Sequence, residues 1–459
     1  MADLHDLALE DLFAIDRRVR TLARELATAD IALARGEDEH PFGKPSRNVL
    51  STLASWNELA ARPIAGIDEP LKAGVLRWVH AFLLARVSHA RRLDVAERRI
   101  ERDEGTPGYA QALREHVLGT RDGDRGAVKR VLILRRLAVA RAIDGRDELV
   151  AEAGRRSVGL VGSGVRASRA HGQGEERHFE GEAACSQELR TASEGSLEES
   201  WKRFRLDRDG VTVRSRELAF FDGLLARDAH EGWPARHHEA WLADVFRELI
   251  RVRRPTSIRL PEVFGASSFT RMVGAFGVAW VNAAVPAGTP FALAHEPLAF
   301  RSRVARVLFA LLVASEPFQR RALGLSGDEV PAQLRALRRA TWQAVHIESV
   351  RAEADLRGLR AAAREREELV EMLFLGHLSA PVAAAVTSPA DGFDFEVLLH
   401  GVNLATAARE ALDEDWFRNP RAGDWLEEHL GAIVGPYSRL TNAASVPRKL
   451  RRLLGEHYA

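Results

Sequence analysis

The chain has 459 residues, 46% of them apolar and 29% charged, with 66 Lys and Arg against 65 Asp and Glu for a formal net charge of +1. Such a length fits roughly one large or two to three ordinary domains, and the apolar share supports a sizeable core. The charge balance argues against a dedicated nucleic-acid binder, and the single cysteine, Cys185, excludes an intrachain disulfide framework or a cysteine zinc cluster.

The opening stretch "MADLHDLALEDLF" is acidic and lacks the basic start and apolar core of a signal peptide. The longest strongly apolar run, "VLFALLVA" at 307–314, falls far short of a membrane span. Both features predict a soluble, cytoplasmic protein. Nearly every periodic segment repeats at helical spacing rather than in alternation, so the predicted fold is mainly α with little or no β. Residues 71–102 carry Val75, Val79 and Phe82 along one stripe, ending at Arg86. Residues 125–145 carry Val131, Leu134 and Ala138, interspersed with Arg130, Arg135, Arg136 and Arg141, and read as a solvated helix face. The glycine-dense stretch 158–182 has a "GLVGSG" piece without the Lys-Ser/Thr of a Walker loop. It is expected to be a linker or surface loop between an N-terminal helical region, 1–157, and a second helical region, 183–459.

In the second region, helices are expected at 183–205 and 209–230. Another follows Pro234, whose ring suits a first helical turn, and carries His237, His238 and Glu239. "GASS" is the expected cap of a helix at 265–285 whose core face holds Phe269, Met272, Phe276 and Trp280. "VPAGTPFALAHEP" reads as a loop with a short extended run. Helices are then expected at 297–316, 330–357, 359–377, 392–415 and 439–455.

One pair carries a chemical signal. His295 and Glu296 are the first two letters of H-E-x-x-H, in which two histidines at i and i+4 on one helix grip zinc and the glutamate serves as general base. The second histidine is due at Ala299. Pro297 places the helix start just after the pair, leaving His295 and Glu296 at its mouth.

The run "FALAHEPLA" resembles the "F-T-L-A-H-E-L-G-H" run of the oligoendopeptidase F and thimet oligopeptidase-like zinc peptidases, through Phe291, Leu293, Ala294, His295, Glu296 and the small residue Ala292. Downstream, "LVASEPFQ" resembles the family's "E-[IV]-A-S-T-x-N-E" through Val313, Ala314 and Ser315, with Leu312 at the ligand position. "FDFEVLLHGVNLATAAREAL" loosely resembles the family's tyrosine-bearing C-terminal helix, although Tyr109, Tyr437 and Tyr458 all fall elsewhere. The resemblance covers roughly residues 230–430. It implies a multi-helix peptidase-like architecture with a central cleft. Carried over residue by residue, it leaves His295 as the remnant ligand and Glu296 as the remnant base, with the second and third ligands lost at Ala299 and Leu312. Without three ligands, zinc is not held and nothing brings the pKa of its water near neutrality.

The reading is therefore a catalytically inactive metallopeptidase-like protein that binds a peptide or partner protein in the inherited cleft, with no cofactor expected. His346, Glu348, Glu353 and His400 are candidate cleft residues. Two alternatives remain open. One is an active hydrolase with a relocated site near His295, Glu296 and His346, the only case in which zinc is expected. The other is a plain helical interaction protein unrelated to peptidases. A hydrolase of the G-x-S-x-G type is disfavoured because that elbow is missing.

Overall fold

A computed structural model describes residues 11–34, 49–61, part of 71–85, 175–206, 215–225, 239–255, 266–284, 288–295, 300–358, 369–378, 382–383, 394–433 and 443–455. The arginine-rich segment 125–145, residues 158–174, Arg86, His237, His238, Glu296, Pro297, Ala299 and all three tyrosines lie outside the described residues. Among the described residues 84% are helical and none is in a strand. The mainly α expectation holds. No helix among them is long and apolar enough to cross a membrane.

The helices, in chain order, are α1 (Leu12–Ala34), α2 (Leu53–Ala61), α3 (Glu175–Leu206), α4 (Ser215–Leu225), α5 (Glu239–Val245), α6 (Arg247–Val252), α7 (Ala266–Asn282), α8 (Phe291–Ala294), α9 (Phe300–Val313), α10 (Glu316–Arg321), α11 (Glu329–Gly358), α12 (Asp394–Leu412), α13 (Ala422–Gly431) and α14 (Val446–Leu453). Short 3-10 turns precede α2, α13 and α14.

The main core is built on α7 and α9, which pack along each other, with α12 against α9. The expected stripe on α7 is confirmed: Phe269, Met272, Phe276 and Trp280 are all buried. Gly277 lets the two helices close, since a β-carbon there would stand 2.5 Å from the Phe309 ring. Phe246 stacks on Phe276 at 4.3 Å between ring centroids, and Phe309 meets Trp416 edge-on at 5.4 Å. Offset and edge-on pairs of this kind add a little to the burial of large rings. The buried Trp280 indole is satisfied by donating to the Leu249 carbonyl at 2.9 Å.

A second core lies where α3, α4 and α11 meet residues 370–378 and 382–383, and it includes Leu197, Phe220, Phe221, Val350 and Phe374. The third core joins α1, α2 and the helical residues of 71–85 to α8. Val75, Val79 and Phe82, the stripe read from the sequence, are buried there with Leu12, Ile15, Val19 and Leu22 of α1.

Several boundaries differ from the sequence reading. α3 begins at Glu175, so the end of the expected loop 158–182 is helical. The run 291–294 is a helical turn, not an extended segment. The expected helix 297–316 corresponds to α9, which ends at Val313, and a separate short helix, α10, follows; residues 297–299 lie outside the described residues. The break falls at Ser315, whose hydroxyl accepts from the Phe318 amide at 3.4 Å with Pro317 in the first turn of α10. A serine cap with proline in the first turn is a strong helix-start signal, and it sets this boundary.

Candidate functional site

The His295 segment is assembled from three parts of the chain. α8 is a single turn with Pro290 as its N-cap residue, whose side chain offers no acceptor. The acceptor comes from α1 instead. The buried Asp16 carboxylate takes the Phe291 amide at 2.9 Å and the Ala292 amide at 2.7 Å. A carboxylate facing the exposed amides at a helix start satisfies both their hydrogen bonds and their partial positive charge. From the other side, Gly74 brings the helical residues of 71–85 against the Ala292 backbone; a β-carbon at 74 would fall 2.6 Å from the Ala292 carbonyl oxygen.

His295 ends this turn. Its φ of −129° and ψ of 91° are extended, and its carbonyl accepts from the Trp78 indole. The H-E-x-x-H geometry needs its first histidine inside a helix, with its carbonyl taken up by the backbone a turn further on. Here the backbone at His295 has left the helix. The imidazole lies 5.0 Å from the Phe291 ring, which lies 5.1 Å from Trp78. Partial burial, and then the positive charge of Arg20, hold its pKa below the ordinary histidine value.

Leu312, at the expected third-ligand position, is buried in the main core on α9. Its carbonyl accepts the Ser315 hydroxyl at 2.7 Å, so this residue closes one helix and helps cap the next. The segment that would present a ligand therefore serves as a packed helix end.

The proposed cleft residues fall into separate surroundings. His346 and Glu353 share the seam between α3 and α11. His346 is wholly buried, its Nδ1 2.7 Å from the Ser193 hydroxyl and its Nε2 3.2 Å from the Leu373 carbonyl. Burial pushes its pKa down to about 3, so the ring is neutral near pH 7. The Leu373 carbonyl only accepts, so the bond there uses a proton on Nε2, while the Ser193 hydroxyl lies 2.7 Å from both Nδ1 and the Arg190 carbonyl. Two turns away, Glu353 accepts from the Arg190 Nε at 2.9 Å. Glu348, by contrast, pairs with Arg351 on its own helix at 2.8 Å. His400 packs edge-on against Phe300 at 5.2 Å on the α9–α12 contact. His295 has its neighbours in the third core, His346 in the α3–α11 seam and His400 on the α9–α12 contact. Among the described residues, no group of three His, Cys, Asp or Glu side chains is arranged to hold a metal ion.

The Ser193–His346 pair has the spacing of a serine nucleophile and its base. Both residues are at zero exposure, and the second ring nitrogen donates to a backbone carbonyl. This places the pair in a packing seam that also includes Ser200, which accepts from Gln343 at 3.0 Å. At its end, His377 and Glu198 lie 3.2 Å apart.

Sequence reasoning missed Asp16 and the partners on α3. Asp16 carries no local signal, because its targets lie far along the chain. The α3 side was readable: Ser186, Ser193 and Ser200 recur every seventh residue, and all three are buried. A small polar stripe at heptad spacing marks a helix face that packs closely and bonds across its interface.

No family model, curated protein or solved structure matches the chain.

Proposed function

We propose that the chain acts by binding rather than by hydrolysis: a metallopeptidase-like, catalytically inactive helical protein of the cytoplasm that takes a peptide or a partner protein in a cleft of its scaffold. The observation that carries this reading is the use made of the two ligand segments. His295 ends a one-turn helix whose backbone is tied to Asp16 and Trp78, and Leu312 is core packing at a helix end. Both segments keep letters of the peptidase pattern while their backbone and side chains meet structural needs. A lone imidazole does not hold zinc tightly, and a carboxylate without zinc-bound water is a poor peptide hydrolase.

The test is incubation of the purified chain, supplied with zinc, with a mixture of unstructured peptides, read by mass spectrometry. The expected result is that every peptide stays intact, with the chain indistinguishable from its His295→Ala variant. Cleavage by the chain that disappears in that variant would defeat the reading and revive a relocated active site.

A further inference from the structure

The outward face of α1 carries a row of basic side chains. Phe13, Arg17, Arg20 and Arg24 recur at three-to-four spacing, so all four project from one side of the helix, opposite the Leu12, Ile15, Val19 and Leu22 stripe in the core. All four are exposed, Phe13 to 49%. No side-chain hydrogen bond or ion pair of Arg17, Arg20 or Arg24 is present among the described residues. Some arginines elsewhere are matched, such as Arg190 with Glu353 and Glu194, Arg253 with Glu427, Arg321 with Asp415, and Arg452 with Glu410, whereas on α1 three unmatched ones share one helix face. Like charges at this spacing weaken a helix by repulsion, so an unmatched row is a standing cost to the fold.

The row does not stand alone. Arg20 is close enough to His295 for its charge to bear on the imidazole. Next to His295 on α8, Leu293 is a second large apolar side chain left 39% exposed. α8 packs on α1, with Asp16 holding the two together. The arginine row thus reaches the α8 segment through Arg20, and each of the two helices leaves one large apolar side chain exposed, Phe13 and Leu293.

We propose that this α1–α8 surface is the docking site for an acidic segment of a partner protein, with carboxylates meeting Arg17, Arg20 and Arg24 and apolar side chains meeting Phe13 and Leu293. Charge complementarity selects the occupant. Guanidinium forks match carboxylates in pairs, and helical spacing puts the row about 10 Å from end to end, the reach of a short peptide. A phosphate polymer would satisfy the arginines but offers nothing to the apolar groups. The chain's net charge of +1 also gives little long-range pull on such a polymer. The inference rests on the binding reading above and gives the partner its chemistry.

The probe is a fluorescein-labelled synthetic peptide alternating Glu pairs with Leu, measured by anisotropy against the full chain. Its companions are the same peptide with Lys for Glu, a labelled oligothymidine, and vesicles of phosphatidylcholine with phosphatidylserine. The expected result is saturable binding of the Glu peptide alone, weakened by salt. Binding falls about tenfold or more in the triple variant Arg17→Glu, Arg20→Glu, Arg24→Glu, and also weakens in Phe13→Ala. Circular dichroism of both variants, unchanged because the sites are exposed, shows that folding is intact. Equal binding by the triple variant would overturn the surface while leaving the binding reading in place. No binding of the Glu peptide, or tighter binding of oligothymidine or vesicles, would overturn the partner class. Peptide cleavage in the assay described above would remove the binding reading itself.

Discussion

Asp16 and His346 show how single side chains are committed to structure in this chain. The Asp16 carboxylate serves two amides at the start of α8 from a buried position. Replacing it with alanine strands both donors, and Asp16→Ala is expected to lower stability by about 2 kcal/mol in urea unfolding, with Asp16→Asn recovering part of the loss. His346 makes its contribution through its neutral state. Its folded pKa, lowered from 6.5 to about 3 by burial, means that below pH 6.5 the unfolded chain takes up a proton that the folded chain does not. Its contribution is therefore intact above pH 6.5 and lost as pH falls toward 3, by roughly 5 kcal/mol over the window. His377, also depressed by burial, adds in the same direction. Unfolding free energies measured from pH 7 to pH 4 should fall steeply, and the His346→Gln variant should show a shallower slope. A slope unchanged by that variant contradicts the buried neutral ring. None of these roles was legible from the sequence. His346 and Glu353 were visible only as titratable residues on one helical stretch, and the partners that fix their chemistry, Ser193 and Arg190, are far away in the chain.

Elements were far more legible, because the period of apolar residues survives whatever the tertiary partner is. The faces of α7 and of 71–85 were read residue for residue: Phe269, Met272, Phe276 and Trp280 in one, Val75, Val79 and Phe82 in the other. Termini were read less well. The helix expected at 297–316 ends at Val313, just before the Ser315 cap of α10, and the turn at α8 depends on an acceptor from α1 that no local pattern announces. Close approach between elements was invisible as well. Gly277 looks like a weak point within a helix, yet it is where α7 meets Phe309. Gly277→Leu is expected to force the α7–α9 crossing apart and cost about 1–3 kcal/mol, seen as a lower midpoint in thermal unfolding. A variant as stable as the parent contradicts the tight crossing.

At the scale of the whole molecule, the helical class was plain in the sequence and the function was not. The peptidase-like letters lie in two short runs, and the structure gives both runs structural work: docking the α1 core onto 291–295, and closing α9 where α10 begins. Short motifs report ancestry or chance equally well until backbone geometry is known, because liganding depends on helix phase as much as on residue type. His295 lies beyond the end of its helical turn, which no count of matching letters discloses. The outer face of α1 carries unmatched arginines, the surface proposed above for an acidic partner segment.

The central claim is that the positions resembling zinc ligands hold structure and not metal. Equilibrium dialysis of the purified full chain against zinc, with bound metal counted by mass spectrometry beside the His295→Ala variant, tests it most directly. The account predicts far less than one zinc per chain, with no difference between the two proteins. One zinc per chain that survives dialysis and is lost in His295→Ala would contradict it.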